Sequence, residues 1–135
     1  MAAAILGMTA GPVLGQTSNV EEGGEAAAQA VAGPQLFAMI YSPGPRWQKG
    51  KPFREQIAIR EHFGYMKSLF AEGRIFSAGG MGAEHGLVLL YAGSQAEADA
   101  ILAADPMIKA GGFQGVVRPY SPTFLSDRPL TAAGK

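Results

Sequence analysis

The chain has 135 residues, 47% apolar and 16% charged, a balance that suits one globular domain rather than a disordered segment. Lysine plus arginine and aspartate plus glutamate number 11 each, with no basic cluster, which argues against nucleic acid as the main partner. The absence of cysteine excludes disulfides, zinc–thiolate sites and thiol catalysis.

Residues 1–20 carry no charged side chain. Within them 1–15 is an apolar, small-residue run of signal-peptide length, ending in Val13-Leu14-Gly15 before Gln16. Gly11-Pro12 breaks it, and it is too short to span a bilayer. No Lys or Arg follows Met1, so two readings stand: a secretory signal that exports the chain to the periplasm or beyond, or an apolar tail on a cytoplasmic protein. Residues 16–33 are mainly Ala, Gly, Gln and Glu and read as a disordered linker, because they hold too little apolar surface to offset the entropy of ordering.

The domain is expected over residues 34–122. "LFAMIY" (Leu36 to Tyr41), set between Pro34 and Pro43-Gly44-Pro45, has the form of a buried strand. The loop "SPGPRWQKGKPF" holds the single tryptophan and is the most basic stretch. A helix is expected from Arg54 to Glu72, with Ile59, Phe63, Met66 and Phe70 on one apolar arc and Leu69 at its flank. Gly73 supplies the left-handed stop. "RIFSAGG" and "GLVLLYA" read as strands joined by a Gly-rich link.

Ser94-Gln95-Ala96-Glu97 is a capping box opening a second helix that runs to about Ala104, with Ala98, Ile101 and Leu102 inward. Asp105-Pro106 ends it, since a residue before proline is pushed out of the helical region, and restarts a short turn with Asp as cap and Pro at the first position. "FQGVVRPYS" is the last strand, with Pro119 placing its end at an edge or bulge. Residues 123–135 read as a tail.

The order β-α-β-β-α-β is the ferredoxin-like split βαβ pattern, an α+β fold with an antiparallel sheet and both helices on one face. Its strands are apolar on both sides, so the uncovered face needs a second cover. A homodimer with sheets face to face supplies one.

His62 lies on the core side of the first helix, about 50° from the centre of its apolar arc. An imidazole there needs a hydrogen-bond partner. Both helices of a split βαβ fold pack on one sheet face, so His62 and Asp105 can meet near one end. A carboxylate on one ring nitrogen then leaves the other free as a base. The competing readings are a structural buried histidine and an aspartate that only caps.

Trp47 and Tyr65 are candidates to line a pocket, with Arg46, Lys49 or Lys51 attracting an anionic substrate; solvated loop charges are the alternative. Met81 is a further candidate at the Gly-rich link. His85 reads as a surface residue. No cofactor motif is present: Gly79-Gly80-Met81-Gly82 follows a strand but opens no helix and lacks Lys-Ser/Thr. No His-x-His or His-x3-His spacing supports a metal site on His62, His85 and Asp105.

"EHFGYMKSLFAEGRIFSAGG", "SQAEADAILAADPMIKAGGF" and "VVRPY" in this order resemble the YciI-like (YCII-related) family over about Gln35 to Tyr120. The resemblance implies a dimeric α+β barrel of ferredoxin-like subunits, with a His in the first helix and an Asp-Pro before the last strand, here His62 and Asp105-Pro106. It implies a His/Asp active-site pair and proton-transfer chemistry such as elimination, isomerisation or lactone conversion. The chain departs from the family pattern twice: Ile59 stands where an Arg is common, and Gly79-Gly80 replaces a Gly-Pro. The rival to such an enzyme is a non-catalytic ligand-binding or interaction module.

Overall fold

Pro34 and the Pro43-Gly44-Pro45 turn bracket the first strand as expected. In the computed structural model, which describes residues 33–128, β1 runs over Gln35–Pro43. A single 3-10 turn at Phe53–Glu55 and helix α1 (Ile59–Ala71) follow. Next come β2 (Ile75–Met81), β3 (His85–Ala92), α2 (Gln95–Ala104), the one-turn α3 (Pro106–Lys109) and β4 (Phe113–Pro119). The signal-like run 1–15, the linker up to residue 32 and the tail beyond residue 128 lie outside the described residues.

The sheet order is β2-β3-β1-β4 with every neighbouring pair antiparallel, the ferredoxin-like α+β arrangement. β4 is an edge strand, which is where Pro119 can be tolerated. Alternation sorts the side chains. Phe37, Met39 and Tyr41 of β1 and Val88, Leu90 and Ala92 of β3 face the helices and are buried. Ile59 and Leu69 of α1, Ala98 and Leu102 of α2 and Met107 of α3 complete that core. The opposite face carries Ile40, Leu89, Tyr91 and Val116, none of them covered by a helix. At a bulge between Ile75 and Ser77, Phe76 meets Tyr91 edge-on at 6.1 Å.

Two expectations about the first helix need correction. It begins at Ile59, not Arg54. Gln56 is buried, and its amide bonds Gln48 N–H, Gln48 C=O and Lys51 C=O, so residues 48–56 are committed to a tied loop. Ala58 then takes a left-handed conformation (φ 58°), which no helix can run through. The inward face also differs from the apolar arc. Ile59, His62 and Leu69 are the buried residues, whereas Phe63 and Phe70 are 47% and 69% exposed. The helix is turned so that His62 sits in the middle of the buried face, and part of its apolar stripe lies outside the core of the single chain.

The local punctuation holds. Gly73 closes α1 with φ 73°. Ser94 Oγ accepts from Glu97 N at 3.1 Å; the reciprocal arm of the box lands one residue earlier, on Gly93 N at 2.7 Å. Asp105 Oδ1 accepts from Met107 N at 2.9 Å, capping α3 with Pro106 at its first position. The loop after β1 is pinned on the α3–β4 connection by Gly44 N to Gly112 C=O (2.9 Å) and Arg46 N to Gly111 C=O (2.8 Å). Gly44 is obligatory there, since a β-carbon would lie 2.5 Å from the Gly111 oxygen.

Candidate active site

The two residues singled out from sequence meet. His62 Nδ1 lies 2.8 Å from Asp105 Oδ2, although the two residues stand 43 positions apart in the chain. Asp105 is fully buried, and the histidine side chain is 10% exposed. Each partner is held by something cheap and local. Asp105 is fixed by the cap it makes to α3, and His62 by its place on the second turn of α1, where its amide bonds the Ala58 carbonyl at 2.9 Å. Both carboxylate oxygens are thereby used as acceptors. The arrangement puts the proton on Nδ1 and leaves Nε2 as the free ring nitrogen. Nε2 has no hydrogen-bond partner among the described residues and is not a fully buried atom.

Aromatic rings surround the imidazole. Tyr41, Phe63 and Phe113 all meet it edge-on, with centroids 5.5–5.7 Å away. Phe53 from the loop packs on both Phe63 and Phe113. On the open side is a cleft of about 240 Å³ between α1, the loop and the facing ends of β2 and β3. His62, Phe53, Phe63 and Met66 form one wall, and the strand segments around Gly80 and Gly86 form the other. Among the described residues no Lys, Arg, Asp or Glu lines it.

The Tyr41 hydroxyl is buried and has no hydrogen-bond partner within 3.5 Å among the described residues, although the Asp105 carboxylate is near enough to act on the phenol. Burial first, and the Asp105 carboxylate second, push the Tyr41 phenol far above its ordinary value. It therefore stays neutral, and can donate but not act as a base. Tyr65 is pushed up in the same direction, again by burial and then by Asp105.

The other sequence candidates lie elsewhere. Trp47 stacks on Phe113 (14° between rings, 5.5 Å) and backs the aromatic cluster without lining the cleft. Arg46 is exposed and lies over Gly111. Tyr65 donates to the Ile101 carbonyl at 2.9 Å, bridging α1 to α2. Met81 is exposed at the hairpin end of β2, in register with His85. The structure thus groups His62 with Asp105 and groups none of these four with them at the cleft. His85 is exposed, as read from sequence, yet belongs to the cleft rim. Among the described residues no cluster of three or more His, Asp or Glu side chains stands ready for a metal, and no helix is long and apolar enough to cross a membrane.

Sequence reasoning missed Tyr41, Phe53, Phe113 and the glycine wall. Tyr41 was within reach, because alternation along "LFAMIY" puts it on the same face as Phe37 and Met39. Phe53 and Phe113 carried no such signal, since a loop and a distant strand bring them in.

No family model matches the chain, and no curated protein matches it. Among solved structures it is similar to 5-chloro-2-hydroxyhydroquinone dehydrochlorinase from Burkholderia phenoliruptrix AC1100, in complex with 2,5-dihydroxybenzoquinone. The identity is 22%, the TM-score 0.45, and the match covers 64% of this chain and 93% of that one. The fold and the site described above rest on this chain's own strand order and distances.

Proposed function

We propose that the protein is a small proton-transfer enzyme of YciI-like type in which His62 is the base and Asp105 orients it. One observation carries this reading: a buried His–Asp pair at 2.8 Å whose second ring nitrogen is left free beside a cleft. A base so placed takes a proton from carbon next to a carbonyl, and Nε2 becomes N–H. The imidazolium formed is stabilised by Asp105. The electron pair left on the substrate moves onto the carbonyl oxygen. Return of the proton at another carbon is isomerisation; departure of a leaving group from the enolate is elimination, with the imidazolium losing its proton to water.

The substrate class that fits is a small unsaturated ring compound. The cleft is smaller than the roughly 300–1,000 Å³ of drug-sized sites. The lining supplies no fixed positive charge, so the geometry does not support the expectation that Arg46 draws in an anion. The uncovered sheet face supports a second element of the reading, a homodimer closed over Ile40, Leu89 and Val116. Export through residues 1–15 belongs to the same proposal, and the mass of the mature N-terminus tests it.

The catalytic reading is tested by hydrogen–deuterium exchange at the α-carbon of ring ketones and enol lactones in D2O. The expected result is acceleration by the wild type that is lost in His62→Ala and reduced in Asp105→Asn, with both variants still cooperatively folded. Equal exchange in wild type and His62→Ala sinks the reading. A His62→Ala variant destabilised by about 1–3 kcal/mol, with no wild-type exchange to lose, points to the binding module with a structural histidine.

A further inference from the structure

The floor of the cleft has no side chains where two neighbouring strands should supply them. Gly80 of β2 and Gly86 of β3 stand directly opposite each other in the register, and Gly86 in turn stands opposite Tyr41. Residues opposite one another share a sheet face, so a side chain at Gly80 or Gly86 would project on the Tyr41 side, under α1. Ala78, two residues before Gly80 on β2, is the only other β2 residue on that side of the cleft.

Neither glycine is required by the backbone. Neither has a positive φ. A β-carbon on Gly86 would meet Tyr41 at 3.6 Å, ordinary contact, and one on Gly80 would meet nothing closer than 3.9 Å. Glycine inside a strand weakens it, through backbone entropy and lost packing. The fold therefore tolerates alanine at both positions and would gain from it. What alanine would remove is the space in front of His62.

Opposite this floor stand the rings of Phe63 and Phe53. Bare backbone at Gly80 and Gly86, beside the modest side chains of Ala78 and Val88, faces aromatic rings on the other side and makes a slot. We infer that Gly80 and Gly86 are specificity-determining residues that hold the cleft open against its aromatic wall, selecting a planar ring over a puckered one. The inference rests on the His62 reading for its purpose, but its own readout is affinity, not turnover. Planar π systems gain from stacking against aromatic side chains, a gain that a saturated ring lacks.

The test uses a matched pair of neutral probes, acetophenone and cyclohexyl methyl ketone, titrated into the full chain and followed by NMR. Acetophenone is expected to shift the amides of Gly80 and Gly86 and to bind at least tenfold more tightly than the saturated ketone. Gly80→Ala and Gly86→Ala should each weaken acetophenone at least tenfold while the melting temperature stays level or rises. Gly64→Ala, at an exposed glycine of α1 with open space around it, should leave the affinity unchanged while its melting temperature rises. Equal affinity for the two ketones, no acetophenone binding by the wild type, or unchanged affinity in both glycine variants overturns the inference.

The outcomes separate it from the catalytic reading. If the glycine variants bind acetophenone unchanged but His62→Ala abolishes exchange, the slot is wrong and the enzyme stands. If the glycine variants lose the ring and the wild type exchanges nothing, the slot stands and the enzyme falls.

Discussion

Two side-chain pairs fasten α2 and its C-terminal corner to neighbouring segments, one buried and one exposed. His62–Asp105 joins α1 to the α2–α3 corner with the carboxylate fully buried and only the imidazole reaching the cleft. Arg74–Glu97 joins the residue before β2 to α2 at the surface, with both side chains 37% exposed. In the exposed pair water competes for each ion, and salt screens what is left. In the buried pair the carboxylate has no solvent to fall back on, so every acceptor position matters. Burial, rather than the kind of contact, therefore decides how much depends on each pair.

The largest effect should come from removing Asp105. Asp105→Ala takes away both the acceptor for His62 and the cap of α3, and the expected loss is roughly 2–5 kcal/mol in urea unfolding. Asp105→Asn can still cap and should recover a large part of it. A loss below about 1 kcal/mol for the alanine variant would mean that the burial of Asp105 matters less than its geometry suggests.

Next comes alkali, acting through Tyr41. Its phenol is raised in the folded state, by burial and then by Asp105, so the folded protein holds that proton more tightly than the unfolded chain. The stabilisation is complete below about pH 10, where an unfolded tyrosine titrates, and is lost as pH rises beyond it. Unfolding followed from pH 9 to 12 should show that slope in the wild type and a shallower one in Tyr41→Phe. At pH 7 the same variant should lie within about 1 kcal/mol of wild type, because the hydroxyl it removes has no partner.

The smallest effect belongs to the surface pair. Glu97 is held below the usual carboxylate range, first by its hydrogen bond to Arg74 and then by the Gly93 amide. Its contribution is present above about pH 4 and is lost as pH falls through the lowered value. Glu97→Gln should flatten the acid limb of the stability profile slightly, and raising the salt should shrink the difference between variant and wild type. If that difference matched the one at Asp105, exposure would not be what separates the two pairs.

Much of the fold was legible because its signals are local. Proline and glycine bracketed β1, Ser94 and Asp105 announced their caps, and Gly73 ended α1. Even the His62–Asp105 meeting was open to argument, since both helices of a split βαβ unit share one sheet face. The lie of α1 was not. Apolar periodicity records which residues avoid water, and it does not say whether their cover is the chain's own core or something beyond it. Phe63 and Phe70 carry the same signal as Ile59, yet only Ile59 is buried. Trp47 and Arg46, read as pocket candidates with solvated loop charge as the alternative for Arg46, lie outside this cleft for a related reason. The loop that holds them is folded back by Gln56 and Gly44, through bonds to residues whose positions no local pattern reveals.

The sequence by itself determined the order of elements, most of their caps and stops, and which histidine and aspartate could meet. These follow from interactions within a few residues, where spacing and backbone preference decide the outcome. Only the tertiary structure decided that α1 turns His62 to the centre of its buried face, that four aromatic rings close around the site, and that Gly80 and Gly86 fall opposite one another beneath it. Those facts depend on strand register and helix rotation, which are settled by packing between segments far apart in the chain.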